Sequence, residues 1–306
     1  MDWPEEVVVA SITTKTNMGT KAKTKPAKKP VKQPLIDLEK EVAELQILFR
    51  FLGEEIIMMR AAGKLAEKEK TYFGDIVTEA DLLVEREIVK RLQSRHPDHC
   101  VRGEEITGRI MPEVCNYEWI VTPIDGTTNF SKGMRFFSIA VAFLDHGVPT
   151  MGAIYFPELS RFIYAIKGKG AFENGKRMER FERPAVNDML NALVAAATTR
   201  KKSGRAEVLG ELRIRSMNLI NSGAMTYNCL MLAEGKIDAA VHTDAKLFTI
   251  APMIPILEEM GCAISGFEED YPDLSREGIS FIAATNQKLL ASIKKNILPV
   301  WERAEK

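Results

Sequence analysis

The sequence predicts a mixed α/β protein of two packed subdomains, and three observations carry that reading. A long apolar stripe comes first: Leu38, Val42, Leu45, Phe49, Leu52, Ile56 and Met59 recur at spacings of three and four, the signature of one buried helical face. Three runs rich in β-branched and aromatic residues follow, 137–144, 150–156 and 161–166, with Gly and Pro between them. They predict an antiparallel meander. After about residue 190, strand-like and helix-like segments alternate.

Residues 1–34 read as a disordered, lysine-rich tail. From Lys15 to Lys32 there are seven lysines and no acid, among Thr, Pro and Ala. Such a stretch buries too little apolar surface to fold alone. The whole chain is neutral, so the rest carries a net −7 (0 − 7). The arm is either a solvated tail or a weak contact to nucleic acid or an acidic partner. No aromatic is interleaved for base stacking, which favours the first. The two subdomains are expected over 35–188 and 189–306.

After the first helix, Val84, Ile88 and Leu92 predict a second, ended by Pro97. Trp119-Ile120-Val121 reads as a buried strand, and Asn174-Gly175 as a hairpin turn. Strands are expected at 193–197, 237–241, 262–265 and 279–284. Helices are expected at 224–234, at 250–260 closed by Gly261, and at 287–296.

Composition narrows the function classes. Hydrophobic residues make up 45% and charged residues 27%, ordinary for a globular enzyme or binding protein. No run reaches the roughly 18 apolar residues of a membrane span, and the N-terminus lacks a signal-peptide pattern. Cys100, Cys115, Cys229 and Cys262 are widely spaced with no CxxC pair. That argues against a thiolate metal site and for a reduced, cytoplasmic setting. His96 and His99 flank Pro97-Asp98, which reads as a surface turn.

Four short polar segments sit at the ends of apolar elements: Asp75-x-x-Thr78-x-x-Asp81, Gly103-Glu104-Glu105, Pro123-Ile124-Asp125-Gly126-Thr127-Thr128 and Phe248-Thr249-Ile250-Ala251. Singly, each has an ordinary explanation. Thr78 with Asp81 matches a helix capping box, and Asp125-Gly126 matches a turn.

Together, in this order and spacing, they resemble the inositol monophosphatase family of Mg²⁺-dependent phosphomonoesterases, over roughly Leu38 to Asn296. Gly152-Ala153-Ile154-Tyr155-Phe156-Pro157, Gly168 to Gly175 and Ala233 to Ala239 strengthen the likeness. The resemblance implies a layered αβαβα sandwich and a homodimer. It also implies Mg²⁺ ions held by acidic side chains and one carbonyl, with a metal-bound water attacking a small phosphate ester. Carried over by position, Glu104, the Ile124 carbonyl and Asp125 would hold metal. Asp81 and Thr127 would activate the water. Gly126 and Thr127 would offer amides to phosphate. Met225 and His242 would line the substrate pocket.

Two positions depart from the family pattern. Thr122 stands where an aspartate bridges two metals, and Thr249 where another aspartate ligates. His242 stands where many members carry a glutamate for inositol hydroxyls. A neutral hydroxyl does not bridge two dications as a carboxylate does. The expectation is a degenerate, catalytically impaired member acting by binding or assembly. An active phosphomonoesterase on a reduced metal site, for an inositol phosphate, histidinol phosphate or related ester, is the alternative. The threonines also suit their places: Thr122 fits a strand end, and Thr249 is expected to N-cap its helix.

Overall fold

The first described helix, α1 (Leu38–Ala61), begins where the Asp37 carboxylate accepts a hydrogen bond from the Lys40 amide at 3.2 Å. The computed structural model describes residues 36–63, 65–69, 76–105, 109–110, 115–180, 182, 184–198, 203–276 and 278–304. The lysine-rich tail, and Asp75 of the first polar segment, lie outside them. The predicted stripe of α1 faces inward: Val42, Leu45, Phe49, Leu52 and Ile56 are buried. Each such side chain contributes about 1.5–3 kcal/mol of burial energy.

A ribbon of β1 (Glu67–Glu69) and β2 (Ile76–Thr78) leads into α2 (Glu79–Arg95). Val84, Ile88 and Leu92 are buried along α2 as their spacing predicts. The large sheet is formed by β3 (Cys100–Gly103), β4 (Arg109–Ile110), β5 (Tyr117–Asp125), β6 (Ser138–Asp145), β7 (Val148–Phe156), β8 (Arg161–Ile166), β9 (Gly170–Glu173) and β10 (Lys176–Arg177). Among the described residues its order is β10-β9-β8-β7-β6-β5-β3-β4. From β5 to β10 neighbouring strands run antiparallel, the expected meander extended by one hairpin. That hairpin turns through Asn174 and Gly175, both at positive φ (48° and 81°), as a two-residue primed turn requires. The short α3 (Thr127–Ser131) follows β5 directly.

A second sheet contains β11 (Leu193–Thr198), β12 (Asn218–Ile220), β13 (Ala239–Ala245), β14 (Ala263–Gly266) and β15 (Ile279–Ala284), ordered β12-β11-β13-β15-β14. Its helices are α4 (Ser203–Arg215), α5 (Met225–Ala233), α6 (Leu247–Glu259) and α7 (Gln287–Ala304). The layers follow from what touches what. Helices α1 and α2 cover one face of the large sheet, and α6 the other. Helices α5 and α6 meet the second sheet, whose far side carries α4 and α7. The result is the αβαβα sandwich. Gly152 lets the central layer close: a Cβ there would meet the Pro252 carbonyl oxygen of α6 at 1.9 Å.

Several expectations need correction. Helix α4 and strand β12 were not foreseen. Strand β13 runs two residues later at its start and four later at its end than predicted. Helix α6 begins at Leu247, with Lys246 at the N-cap, so Thr249 is its third residue and not its cap. Helix α7 continues to Ala304. Cys100 and Cys115 form a disulfide, so wide cysteine spacing does not argue for an all-thiol chain. The expected turn is present, with Pro97 and Asp98 exposed, but its histidines are engaged: His96 and His99 stack at 4.7 Å, and His99 accepts from the Trp119 indole at 3.0 Å. Among the described residues no helix is long and apolar enough to cross a membrane.

Candidate functional site

The polar segments converge where the C-terminal end of β5 meets the starts of α2, α5 and α6. Asp81 is fully buried in the first turn of α2. One of its oxygens accepts from the Thr78 amide at 2.8 Å and the Thr78 hydroxyl at 2.7 Å. The other accepts from the Thr127 hydroxyl at 3.3 Å. The expected Asp81–Thr127 pair is therefore assembled. The Thr127 hydroxyl also lies 3.1 Å from the Ile124 carbonyl oxygen, the expected carbonyl ligand. Gly126 takes φ 85°, and a Cβ there would press on the Phe136 carbonyl at 2.8 Å. Only glycine suits the turn that joins β5 to α3.

Asp125 leaves β5 pointing at α5. Its Oδ2 accepts from the Thr226 amide at 2.8 Å and the Thr226 hydroxyl at 2.6 Å. Burial pushes its carboxyl up to about 6, and the nearby Glu104 charge adds to the rise; the Thr226 bonds oppose it. The side chain thus satisfies the first amides of a helix, the groups left without intrahelical partners. Met225, the first residue of α5, is half-buried beside this anchor.

Glu104 accepts from the Lys246 ammonium at 2.9 Å. Sequence reasoning missed Lys246. Its signal was a lysine at a helix N-cap, a position that favours Ser, Thr, Asp or Asn. Thr226 and Pro252 were missed as well.

Thr122 is fully buried in β5, and its hydroxyl donates to the Phe248 carbonyl at 2.5 Å. The reason lies four residues on. Residue 252 would normally donate its amide to that carbonyl, but Pro252 has none. The threonine hydroxyl supplies the missing donor. Thr249 is buried in the first turn of α6, and its amide donates to the Lys246 carbonyl at 3.1 Å.

His242 sits in the middle of β13. It is fully buried and stacks on Phe281 at 5.1 Å. Neither ring nitrogen has a hydrogen-bond partner. Burial lowers its pKa to about 4, so it is neutral at pH 7. Among the described residues, no three His, Cys, Asp or Glu side chains gather as a metal-binding group.

Layer order and sheet topology define the class: an αβαβα sandwich with two mixed sheets. The chain belongs to the inositol monophosphatase family, whose model matches residues 39–298. It is 30% identical over 200 residues to a fructose-1,6-bisphosphatase/inositol-1-monophosphatase of Thermotoga maritima, covering 65% of this chain and 75% of that one. It is 28% identical over 244 residues to a putative Nus factor SuhB of Neisseria meningitidis serogroup B, covering 79% and 92%. A solved IMPase/NADP phosphatase complexed with Mg²⁺ and phosphate shares the fold with TM-score 0.71 at 22% identity, over 86% of this chain and 94% of that one.

Proposed function

We propose that this family member holds its cleft together without divalent metal and acts through binding or assembly, not through efficient phosphate-ester hydrolysis. The observation that carries the reading is the Thr122 hydroxyl donating to the Phe248 carbonyl. A bridging carboxylate has no proton to give there. A two-metal site needs hard oxygen ligands free to face the ions. On this reading two of the four expected carboxylates are threonine. The two that remain, Glu104 and Asp125, are committed to Lys246 and Thr226. The residues present do not fit a two-metal Mg²⁺ set. Losing one interaction made chiefly in the transition state commonly costs about 2.7–4 kcal/mol, and two lost ligands do not simply add.

A relative named for a Nus-factor role supports a binding function in this scaffold. The reading includes a homodimer, which light scattering checks. It also includes a weak contact of the Lys15–Lys32 arm with nucleic acid or an acidic partner. Salt-titrated binding with and without residues 1–34 tests that arm: an unchanged affinity and salt slope would remove it. On this reading Met225 borders the pocket, while His242 is fully buried against Phe281.

One observation favours the second reading, an active Mg²⁺-dependent phosphomonoesterase: the Asp81–Thr127 pair is in place. The assay that separates the two is hydrolysis of a generic phosphomonoester with Mg²⁺ and with EDTA, beside Thr122→Asp/Thr249→Asp. Binding without hydrolysis predicts a wild type at the buffer rate. Turnover that EDTA abolishes would establish the second reading.

A further inference from the structure

Lys246 occupies a position that its own helix does not favour. It is the N-cap of α6, and its side chain makes no capping bond. A cation at a helix N-terminus faces the positive end of the macrodipole, where acids are preferred. The approach to this position is also specialised. The pairing of β13 with β15 shifts register between His242 and Ala245. Within that bulge Asp244 takes φ 57°, a left-handed conformation uncommon outside glycine. Bulges re-aim the side chains that follow them. What the chain gains is reach: the Lys246 ammonium meets Glu104, from a segment 142 residues away, at 2.9 Å. The Glu104 side chain is 11% exposed and that of Lys246 46%. The carboxylate end of the pair is enclosed, while the lysine stem bridges from solvent.

A carboxylate as enclosed as that of Glu104 needs a positive partner. We propose that the Lys246 ammonium is a tethered cation that takes the place of a divalent ion at Glu104. It pairs the Glu104 charge from within and excludes metal from the carboxylate that the resemblance assigns as a ligand. The inference rests on the metal-free reading of the site. It adds that cation affinity is set by Lys246 and not only by the two threonines.

The test uses the full chain with Mg²⁺ as the probe. It compares wild type, Lys246→Met, Lys246→Arg and Lys246→Met/Glu104→Gln by titration calorimetry and by melting in EDTA and in millimolar MgCl₂. Wild type and Lys246→Arg should be indifferent to Mg²⁺. Lys246→Met should bind it at least about tenfold more tightly, because one cation no longer competes with the other. Its Tm should rise by about 2–5 °C when Mg²⁺ stands about tenfold above its Kd. The double variant should lose that response. If Lys246→Met is unfolded in EDTA, either Mg²⁺ or the added Glu104→Gln change should recover it. A Lys246→Met protein as indifferent to Mg²⁺ as wild type, or one that neither recovers, overturns the tethered cation and leaves the metal-free reading standing. Mg²⁺ binding by wild type overturns both.

Discussion

The Thr122 hydroxyl donates to the Phe248 carbonyl across 126 residues of sequence, at 2.5 Å, and so joins β5 to the first turn of α6. Pro252 makes this bond necessary, since it removes the amide that would otherwise serve that carbonyl. Thr122→Val keeps the shape and removes the donor, leaving a part-buried carbonyl without that bond. The expected loss in urea unfolding is about 1–3 kcal/mol. Thr122→Ser should restore most of it. Thr122→Asp should also destabilise, because an ionised carboxylate accepts and does not donate. Simple reversion at this position is thus expected to lower stability.

Asp125 and Thr226 form a second long-range link, with two bonds to one carboxylate oxygen. Thr226→Val removes the hydroxyl bond and keeps the amide bond. Hydrogen bonds to charged groups are worth about 1.5–3 kcal/mol, so unfolding free energy should fall by about that much. The loss should shrink in an Asp125→Asn background, which a double-mutant cycle measures.

His242 gives stability a pH dependence of known sign. Its folded pKa is about 4 and its unfolded value about 6.5. Between those values the unfolded chain holds a proton that the folded chain does not. Stability is therefore complete above about pH 6.5 and lost as pH falls toward 4. The full shift corresponds to about 3 kcal/mol. His242→Leu should flatten this part of the profile relative to wild type, read as urea midpoints across pH 4–7. An unchanged difference between the two proteins over that range would show that His242 finds a partner in solution.

Gly152 is set by close approach and not by φ. Gly152→Ala would place a methyl 1.9 Å from the Pro252 carbonyl oxygen. Both sides are backbone, so neither yields easily. Overpacking of this kind costs about 1–3 kcal/mol and often more. The variant should melt well below wild type, or fail to accumulate as folded protein.

Much of the fold was legible because it is local. The α1 stripe, the meander and the Asn174-Gly175 turn each depend on residues a few places apart, and periodicity reports them directly. Helix α4 escaped because only Val208 and Leu212 are fully buried along its well-described part, among Gly and charged residues that blur any stripe. At the site, the polar segments and their convergence were readable. Their hydrogen-bond partners were not. Asp125–Thr226, Thr122–Phe248 and Glu104–Lys246 span 101, 126 and 142 residues, and no local pattern encodes such pairs. The error at Thr249 has a physical cause too: threonine suits an N-cap, but the helix starts earlier, at a lysine that is directed toward Glu104.

The most direct test of the metal-free cleft is calorimetric titration of Mg²⁺ into the purified wild-type chain. A cleft closed without metal should give no binding heat at millimolar Mg²⁺ and the same Tm with and without EDTA. Saturable Mg²⁺ binding, with a Tm that rises as the metal is added, would contradict it.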